Sequence, residues 1–216
     1  HYIDAISSWW VNLFGHCNPY INTKISEQLE RLEHVILAGF SHESVIRLSE
    51  RLVRITPNGL TRCFYADNGS SAIEVALKMS YHAHKNNGME RPLFVSLSDS
   101  YHGETIGALS VGDVSLYKET YEPLLIRSLQ TPSPVDQTKE AAFFAITKLR
   151  ALLEKQGEEI SALIVEPLVQ GAGGMKMYHP SYLTEAKKLC VEYGIHFIAD
   201  EILVGFGRTG TMFACE

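Results

Sequence analysis

The chain has 216 residues and a formal net charge of −6 at pH 7. This acidic balance gives no indication of a nucleic-acid partner or an anionic membrane surface, and the longest apolar runs are strand-sized, so no membrane span is expected. No signal peptide is recognised, although the chain begins with His1. Four widely spaced cysteines form no C-x-x-C pair, so neither a disulfide framework nor a metal site is expected, and a reduced, cytoplasmic setting is favoured.

The first 60 residues are predicted to be helical and irregular. Apolar residues at helical spacing predict an amphipathic helix over residues 22–37, and a second helix is predicted from a cap at Ser41 to the turn at Pro57-Asn58-Gly59. Trp9 and Trp10 allow two interpretations. Either one packs in the core and the other under a loop, or one of them forms a wall of a ligand pocket.

A strand at residues 62–66 is predicted to lead through Asp67-Asn68-Gly69-Ser70-Ser71 into a helix. The first turn of a helix presents free N–H groups and a partial positive charge, and small residues let a phosphate come close. Gly69 and Ser70 therefore suit a phosphate, while an ordinary capped helix start is the alternative. The stretch is neither a Walker loop nor a G-x-G-x-x-G fingerprint.

A strand over residues 92–97 is followed by Tyr101-His102-Gly103, an aromatic and a histidine that could face a crevice at the strand end. A packed tyrosine and a helix cap are the alternative. Residues 112–137 are expected to be irregular, with one short strand near residues 124–129. A helix is predicted over residues 138–155 from apolar residues on one stripe.

Two further buried strands are predicted, and each ends in acidic residues. Residues 161–165 run into Glu166, and residues 195–199 run into Asp200 and Glu201. A glycine-rich loop at residues 169–175 and a helix over residues 180–193 lie between them, which favours a parallel strand–helix–strand crossover. An α/β fold is therefore expected, with a mostly parallel sheet and helices on both faces.

In such sheets the ligand crevice lies beyond the carboxyl ends of the strands. The sequence places a helix N-terminus, a Tyr-His-Gly turn and two carboxylates there. A phosphorylated, aromatic, nitrogen-containing cofactor needs those groups, and pyridoxal 5′-phosphate matches best. A carboxylate beside the pyridine nitrogen would favour its protonated form.

The chain resembles the class III aminotransferases of fold type I. The resemblance runs over essentially the whole chain and is carried by these motifs: Ser7-Ser8-Trp9-Trp10, Asn68-Gly69-Ser70, Ser100-Tyr101-His102-Gly103, Val165-Glu166-Pro167 with the loop to Met175, Ile198-Ala199-Asp200-Glu201, and Gly205-Phe206-Gly207-Arg208-Thr209-Gly210. It implies that residues 1–55 lead into a large cofactor-binding domain and that residues 56–216 form part of that domain.

The resemblance also implies a role for individual residues. These are the expected assignments: Gly69 and Ser70 at the cofactor phosphate, Tyr101 against the ring and the substrate with His102 beside it, Glu166 as a polar neighbour, Asp200 at the pyridine nitrogen, Ile202 under the ring, and Trp9 in the substrate pocket. Asp200 and Tyr101 are the expected catalytic residues.

Trp9-Trp10 and the loop Gln170–Met175 are similar to the branch of the family that acts in biotin synthesis. This implies S-adenosylmethionine as amino donor, 8-amino-7-oxononanoate as acceptor, and a homodimer with a shared active site. Ala172 stands where ornithine- and aminobutyrate-type relatives carry a glutamate. Lysine as donor, another ω-aminotransferase and a catalytically silent domain remain alternatives. The Schiff-base lysine is expected beyond Glu216, so this chain alone is expected to be inactive.

Overall fold

The computed structural model describes all 216 residues and separates them into two compact units, His1–Cys63 and Phe64–Glu216. The domain assignment expected from the sequence, 1–55 and 56–216, stays a prediction. None of the helices is long and apolar enough to cross a membrane.

The first unit contains three helices. They are α1 (Ser7–Trp10), α2 (Pro19–Leu29) and α3 (Glu43–Ile55). The turn α1 is left-handed, with φ between 48° and 69° at all four residues, a conformation that L-residues seldom adopt. No residue of these three helices is buried.

Two predictions in this unit were wrong at the helix ends. The first long helix begins at Pro19 because the Asn18 side chain accepts hydrogen bonds from the next free N–H groups, and it ends at Leu29 rather than residue 37. The cap of α3 is His42, whose Nδ1 accepts from Val45 N at 3.4 Å, and not Ser41.

The second unit is an α/β layer structure. Its helices are α4 (Gly69–Asn86), α5 (Ile106–Ser110), α6 (Ser115–Lys118), α7 (Lys139–Gln156) and α8 (Ser181–Glu192), with 3₁₀ helices at Glu119–Leu124 and Gly157–Glu159. Its strands are β1 (Leu93–Leu97), β2 (Leu129–Thr131), β3 (Ile160–Val165), β4 (Val169–Gln170), β5 (Lys176–Met177) and β6 (His196–Ala199).

Four strands form one parallel sheet in the order β2-β1-β3-β6, while β4 and β5 form a separate antiparallel pair. Alternate residues of β1 and β3 face opposite layers, as the two-residue period of a strand requires. Val95 and Leu163 pack with α7 and α8 on one face, while Phe94 and Ile164 pack with α4 and α5 on the other. The expected parallel sheet with helices on both faces is confirmed.

The strand predicted at residues 62–66 does not form. A strand needs a neighbour to complete its hydrogen bonds, and these residues pair with none of the four strands. The short strand predicted near residues 124–129 was also misplaced. It runs from Leu129 to Thr131, because a 3₁₀ helix containing Pro123 occupies Glu119–Leu124.

Candidate active site

The carboxyl ends of β1, β3 and β6 lie side by side because the three strands are parallel neighbours. Val165 pairs with Ala199 at the last register position, and Asp200 N then donates to Val165 O at 2.8 Å. The segments that follow these strands carry the Tyr-His-Gly turn, Glu166 and Asp200. The structure therefore brings together residues that are up to about 100 positions apart in the chain.

Asp200 and His102 form a buried pair at the centre of this edge, with 7% and 3% of their surfaces exposed. His102 Nδ1 donates to Asp200 Oδ2 at 2.8 Å, and Asp200 Oδ1 accepts from Ile202 N at 3.2 Å. A carboxylate has about four acceptor positions, so Asp200 retains the capacity to accept from a further donor. His102 Nε2 is buried and has no hydrogen-bond partner.

The start of α4 lies beside the Tyr-His-Gly turn. Asn68 caps the helix by accepting from Ser71 N at 2.9 Å, so the N–H groups of Gly69 and Ser70 stay without an intrahelical acceptor. Ser70 Oγ accepts from Glu104 N at 3.1 Å. Gly103 adopts φ +120°, and a Cβ there would lie 2.8 Å from Ser70 Cβ. The absence of a side chain at Gly103 is what lets the turn and the helix start approach each other.

Tyr101 is half-buried in the turn that follows β1. Its hydroxyl donates to Glu104 Oε1 at 3.0 Å, and its ring centroid lies 5.2 Å from that of Tyr117. Burial, followed by the hydrogen bond to Glu104, raises the pKa of Tyr101 to about 12. The phenol therefore stays protonated across the physiological range and can donate a hydrogen bond.

Glu166 is almost fully buried, at 6% exposed. Its Oε1 accepts from Tyr101 N at 2.9 Å and its Oε2 from Gly171 N at 2.8 Å. Burial raises the pKa of Glu166, while His102 and the two N–H groups oppose that rise. Each carboxylate oxygen thus accepts one hydrogen bond from the backbone of a different loop.

Ile202 and Trp9 are both exposed, at 71% each. An ideal Cβ on Gly69 would lie 3.4 Å from Ile202 Cγ1, so Ile202 adjoins the start of α4. Trp9 belongs to the first unit, where its ring makes an edge contact with Trp10 at 5.9 Å. The pocket roles expected for these two residues stay predictions.

Sequence reasoning missed three partners in the second unit. Glu104 holds the Tyr101 hydroxyl, and its position three residues later was an available signal. Tyr117 and the His102–Asp200 pair depend on contacts across the fold, so no local pattern predicts them. Lys176 forms an ion pair with Asp99 at 2.5 Å.

A parallel sheet whose strand ends gather a helix N-terminus, an aromatic turn and a buried carboxylate is the arrangement of fold type I pyridoxal phosphate enzymes. The family model described as aminotransferase class III matches residues 1–216, and the chain belongs to this family. Class III aminotransferases depend on pyridoxal phosphate.

The chain is 56% identical over 217 aligned residues to an adenosylmethionine-8-amino-7-oxononanoate aminotransferase of Helicobacter pylori, covering 100% of this chain and 49% of that protein. A crystal structure of the enzyme of that name from Methanocaldococcus jannaschii matches with a TM-score of 0.93 and 38% identity, covering 99% of this chain and 48% of that one.

An amine transaminase from an uncultivated Pseudomonas species, solved in the PLP-bound form, matches with a TM-score of 0.89 and 31% identity over 98% of this chain and 50% of that one. The chain therefore spans about half the length of the relatives it matches.

Proposed function

We propose that the protein is a pyridoxal phosphate-dependent transaminase of biotin synthesis. It makes 7,8-diaminononanoate from 8-amino-7-oxononanoate with S-adenosylmethionine as the amino donor. The observation that carries the proposal is the 56% identity, along the whole chain, to the Helicobacter pylori protein of that name. The site residues support the reaction class.

The residues at the strand ends fit the cofactor. The free N–H groups of Gly69 and Ser70 suit its phosphate, and Asp200 has acceptor capacity left for a protonated ring nitrogen. Gly103 provides the close approach between the turn and the helix start. When bound, the protonated ring withdraws electrons from the carbon that bears the transferred amino group.

Five residues of the chain have distinct roles in this proposal. Asp200 keeps the ring nitrogen protonated, and His102 holds Asp200 by donating to Oδ2. Tyr101 covers one side of the ring and reaches towards the substrate, while Ile202 packs against the other side. Trp9 contributes an apolar surface for the aliphatic chain of the acceptor.

A cytoplasmic homodimer completes the proposal. The helices of residues 1–63 carry exposed apolar side chains, such as Ile25 and Leu29 at 55% and 59% exposed, and none of their residues is buried. Such a surface suits burial against a second copy. The four cysteines are free thiols, as expected of a reducing compartment.

Product formation in the full-length protein tests the proposal. The protein, loaded with pyridoxal phosphate, is incubated with 8-amino-7-oxononanoate and either S-adenosylmethionine or lysine, and 7,8-diaminononanoate is measured by mass spectrometry. Product is expected with S-adenosylmethionine and not with lysine. Product with lysine alone would correct the donor, and absence of product with both would contradict the proposed substrate pair. Sedimentation of the same sample tests the homodimer.

A second candidate is another class III ω-aminotransferase. It is favoured by likeness to ω-transaminases, such as one from Thermomicrobium roseum with a TM-score of 0.93 and 30% identity. Turnover of simple amine and ketone pairs, without turnover of the biotin precursor, would support this candidate.

A further inference from the structure

The carboxylate of Glu166 links two loops that are distant in sequence. Oε1 accepts from Tyr101 N at 2.9 Å, in the turn after β1, and Oε2 accepts from Gly171 N at 2.8 Å, at the start of the glycine-rich loop Gly171–Gly174. Both bonds go to a charged acceptor in a buried place, where such bonds are strongest. Each oxygen of the carboxylate therefore binds a different loop.

The backbone of Glu166 holds the far end of the same loop. Tyr178, just after β5, donates its hydroxyl to Glu166 O at 2.6 Å. The glycine-rich loop and the β4–β5 pair are therefore tied to Glu166 before and after the loop. Movement of Glu166 would move Tyr101 and this loop together.

Two glycines of the glycine-rich loop lie close against neighbouring segments. A Cβ on Gly171 would overlap Leu203 Cδ1, and a Cβ on Gly173 would overlap Asp99 O. Leu203 follows the Asp200 turn, and Asp99 precedes the Tyr101 turn. At Gly171 and Gly173 the loop therefore contacts the segments that follow β6 and β1, whereas Gly174 has nothing within 4 Å.

Two other glutamates show what is distinctive about Glu166. Glu74 accepts from the adjacent N–H groups of Gly107 and Ala108, and Glu201 accepts from those of Ala214 and Cys215. In each case the two N–H groups are adjacent in sequence and belong to one segment. Glu166, by contrast, joins two separate segments, one of which carries the aromatic cover of the candidate site.

We infer that Glu166 is a positioning residue that couples the glycine-rich loop to Tyr101 and so sets the position of the tyrosine at the candidate site. The inference rests on the proposed transaminase function. It adds a positioning role to the expectation that Glu166 is a polar neighbour of the cofactor, because each of its oxygens accepts from a backbone N–H group.

Acid should break this coupling. Protonation removes the negative charge and leaves one oxygen as a hydroxyl, which is a weaker acceptor for the N–H group that it faces. Burial raises the pKa of Glu166 above its ordinary value of 4.5, so the link fails at a higher pH than an exposed glutamate would allow. The ionisable groups that face it are His102, Asp200 and Tyr178.

The test compares Glu166→Gln with Glu74→Gln in the full-length protein. An amide has one acceptor oxygen, so Glu166→Gln must leave either Tyr101 N or Gly171 N facing an NH₂ group. Hydrogen exchange of at least one of these two backbone amides should then accelerate, by roughly tenfold or more. Glu74→Gln should leave exchange at Gly107 and Ala108 nearly unchanged, because both N–H groups bond to Oε1 and an amide keeps one acceptor oxygen.

The pH dependence of kcat/KM distinguishes a positioning role from a merely structural one. Glu166→Gln should lower kcat/KM for transamination roughly 10- to 100-fold, and its pH profile should lack the acid limb that Glu166 gives the wild type. Glu74→Gln should keep the wild-type profile. If Glu166→Gln does not fold, Glu166→Asp serves instead, because its shorter chain cannot reach both amides.

The two proposals fail in different ways. Absence of any transamination by the wild type would overturn the proposed function, while the exchange data would still report on the link. Unchanged exchange at Tyr101 and Gly171, or equal kinetic effects in Glu166→Gln and Glu74→Gln, would overturn the positioning role.

Discussion

Replacing Asp200 by asparagine keeps the shape of the side chain but removes one of its two acceptor oxygens. In the structure each oxygen accepts one hydrogen bond, Oδ2 from His102 Nδ1 at 2.8 Å and Oδ1 from Ile202 N at 3.2 Å. An amide cannot accept both. Either His102 or Ile202 must then face an NH₂ group.

The substitution should lower the free energy of unfolding because Asp200 and His102 are buried. If the oxygen stays on His102, the NH₂ group faces Ile202 N; if the amide flips, it faces His102 Nδ1–H. A change of histidine tautomer restores that bond but places the hydrogen on Nε2, which is buried without a partner. Each route leaves one donor unsatisfied, which costs about 1–3 kcal/mol of the free energy of unfolding.

Thermal unfolding at pH 7 without cofactor measures this loss. For a chain of this size, about 2–4 °C of midpoint is expected per kcal/mol. Asp136→Asn is the matched control, because Asp136 is exposed and its backbone φ of 88° suits asparagine as well. The control should change the free energy of unfolding by less than about 0.5 kcal/mol.

The same substitution in the full-length protein tests the functional role. Loss of the carboxylate should nearly abolish transamination, because the ring nitrogen loses the partner that keeps it protonated. Equal midpoints for Asp200→Asn and Asp136→Asn would refute the hydrogen-bond argument. Wild-type turnover in Asp200→Asn would refute its role at the cofactor.

Three further substitutions test the carboxyl ends of the parallel strands and the rest of the second unit. Gly103→Ala should lower the unfolding midpoint by several degrees and weaken cofactor binding measured by absorbance, because the new methyl meets Ser70 at a strained φ of +120°. Tyr101→Phe should reduce kcat while changing stability by less than about 1 kcal/mol, since it loses one exposed hydrogen bond. His196→Gln should flatten the loss of stability below pH 6.5, because desolvation and the nearby His84, Arg91 and Lys187 lower the pKa of His196 in the fold, so protonation favours the unfolded chain.

Each of these predictions has a control. Gly88→Ala carries the strain of φ +74° with no contact within 4 Å, so equal losses in Gly88→Ala and Gly103→Ala would contradict the contact with Ser70. Tyr121→Phe, at an exposed tyrosine, should keep wild-type kcat. His82→Gln, at an exposed histidine of α4, should keep the wild-type fall in stability between pH 6.5 and 5; a flattened curve there would contradict the assignment to His196.

Local sequence patterns predicted the central strands well. The runs at 93–97 and 160–165 are buried at every position, so a continuous apolar run was a sufficient signal. Patterns failed where a partner decides the outcome. Residues 62–66 have strand composition but no neighbouring strand, and the cap of α3 fell to His42 because its ring nitrogen reaches Val45 N.

The sequence by itself determined the start of α4, because Asn68 caps the helix through a bond only three residues away. It also placed Asp200 at a strand end. Only the tertiary structure decided what that carboxylate meets: His102 is 98 positions away and becomes its partner because β1 and β6 lie on either side of β3. It likewise decided that Glu166 links Tyr101 to Gly171, because contacts between parallel strand ends depend on sheet order, which no local pattern encodes.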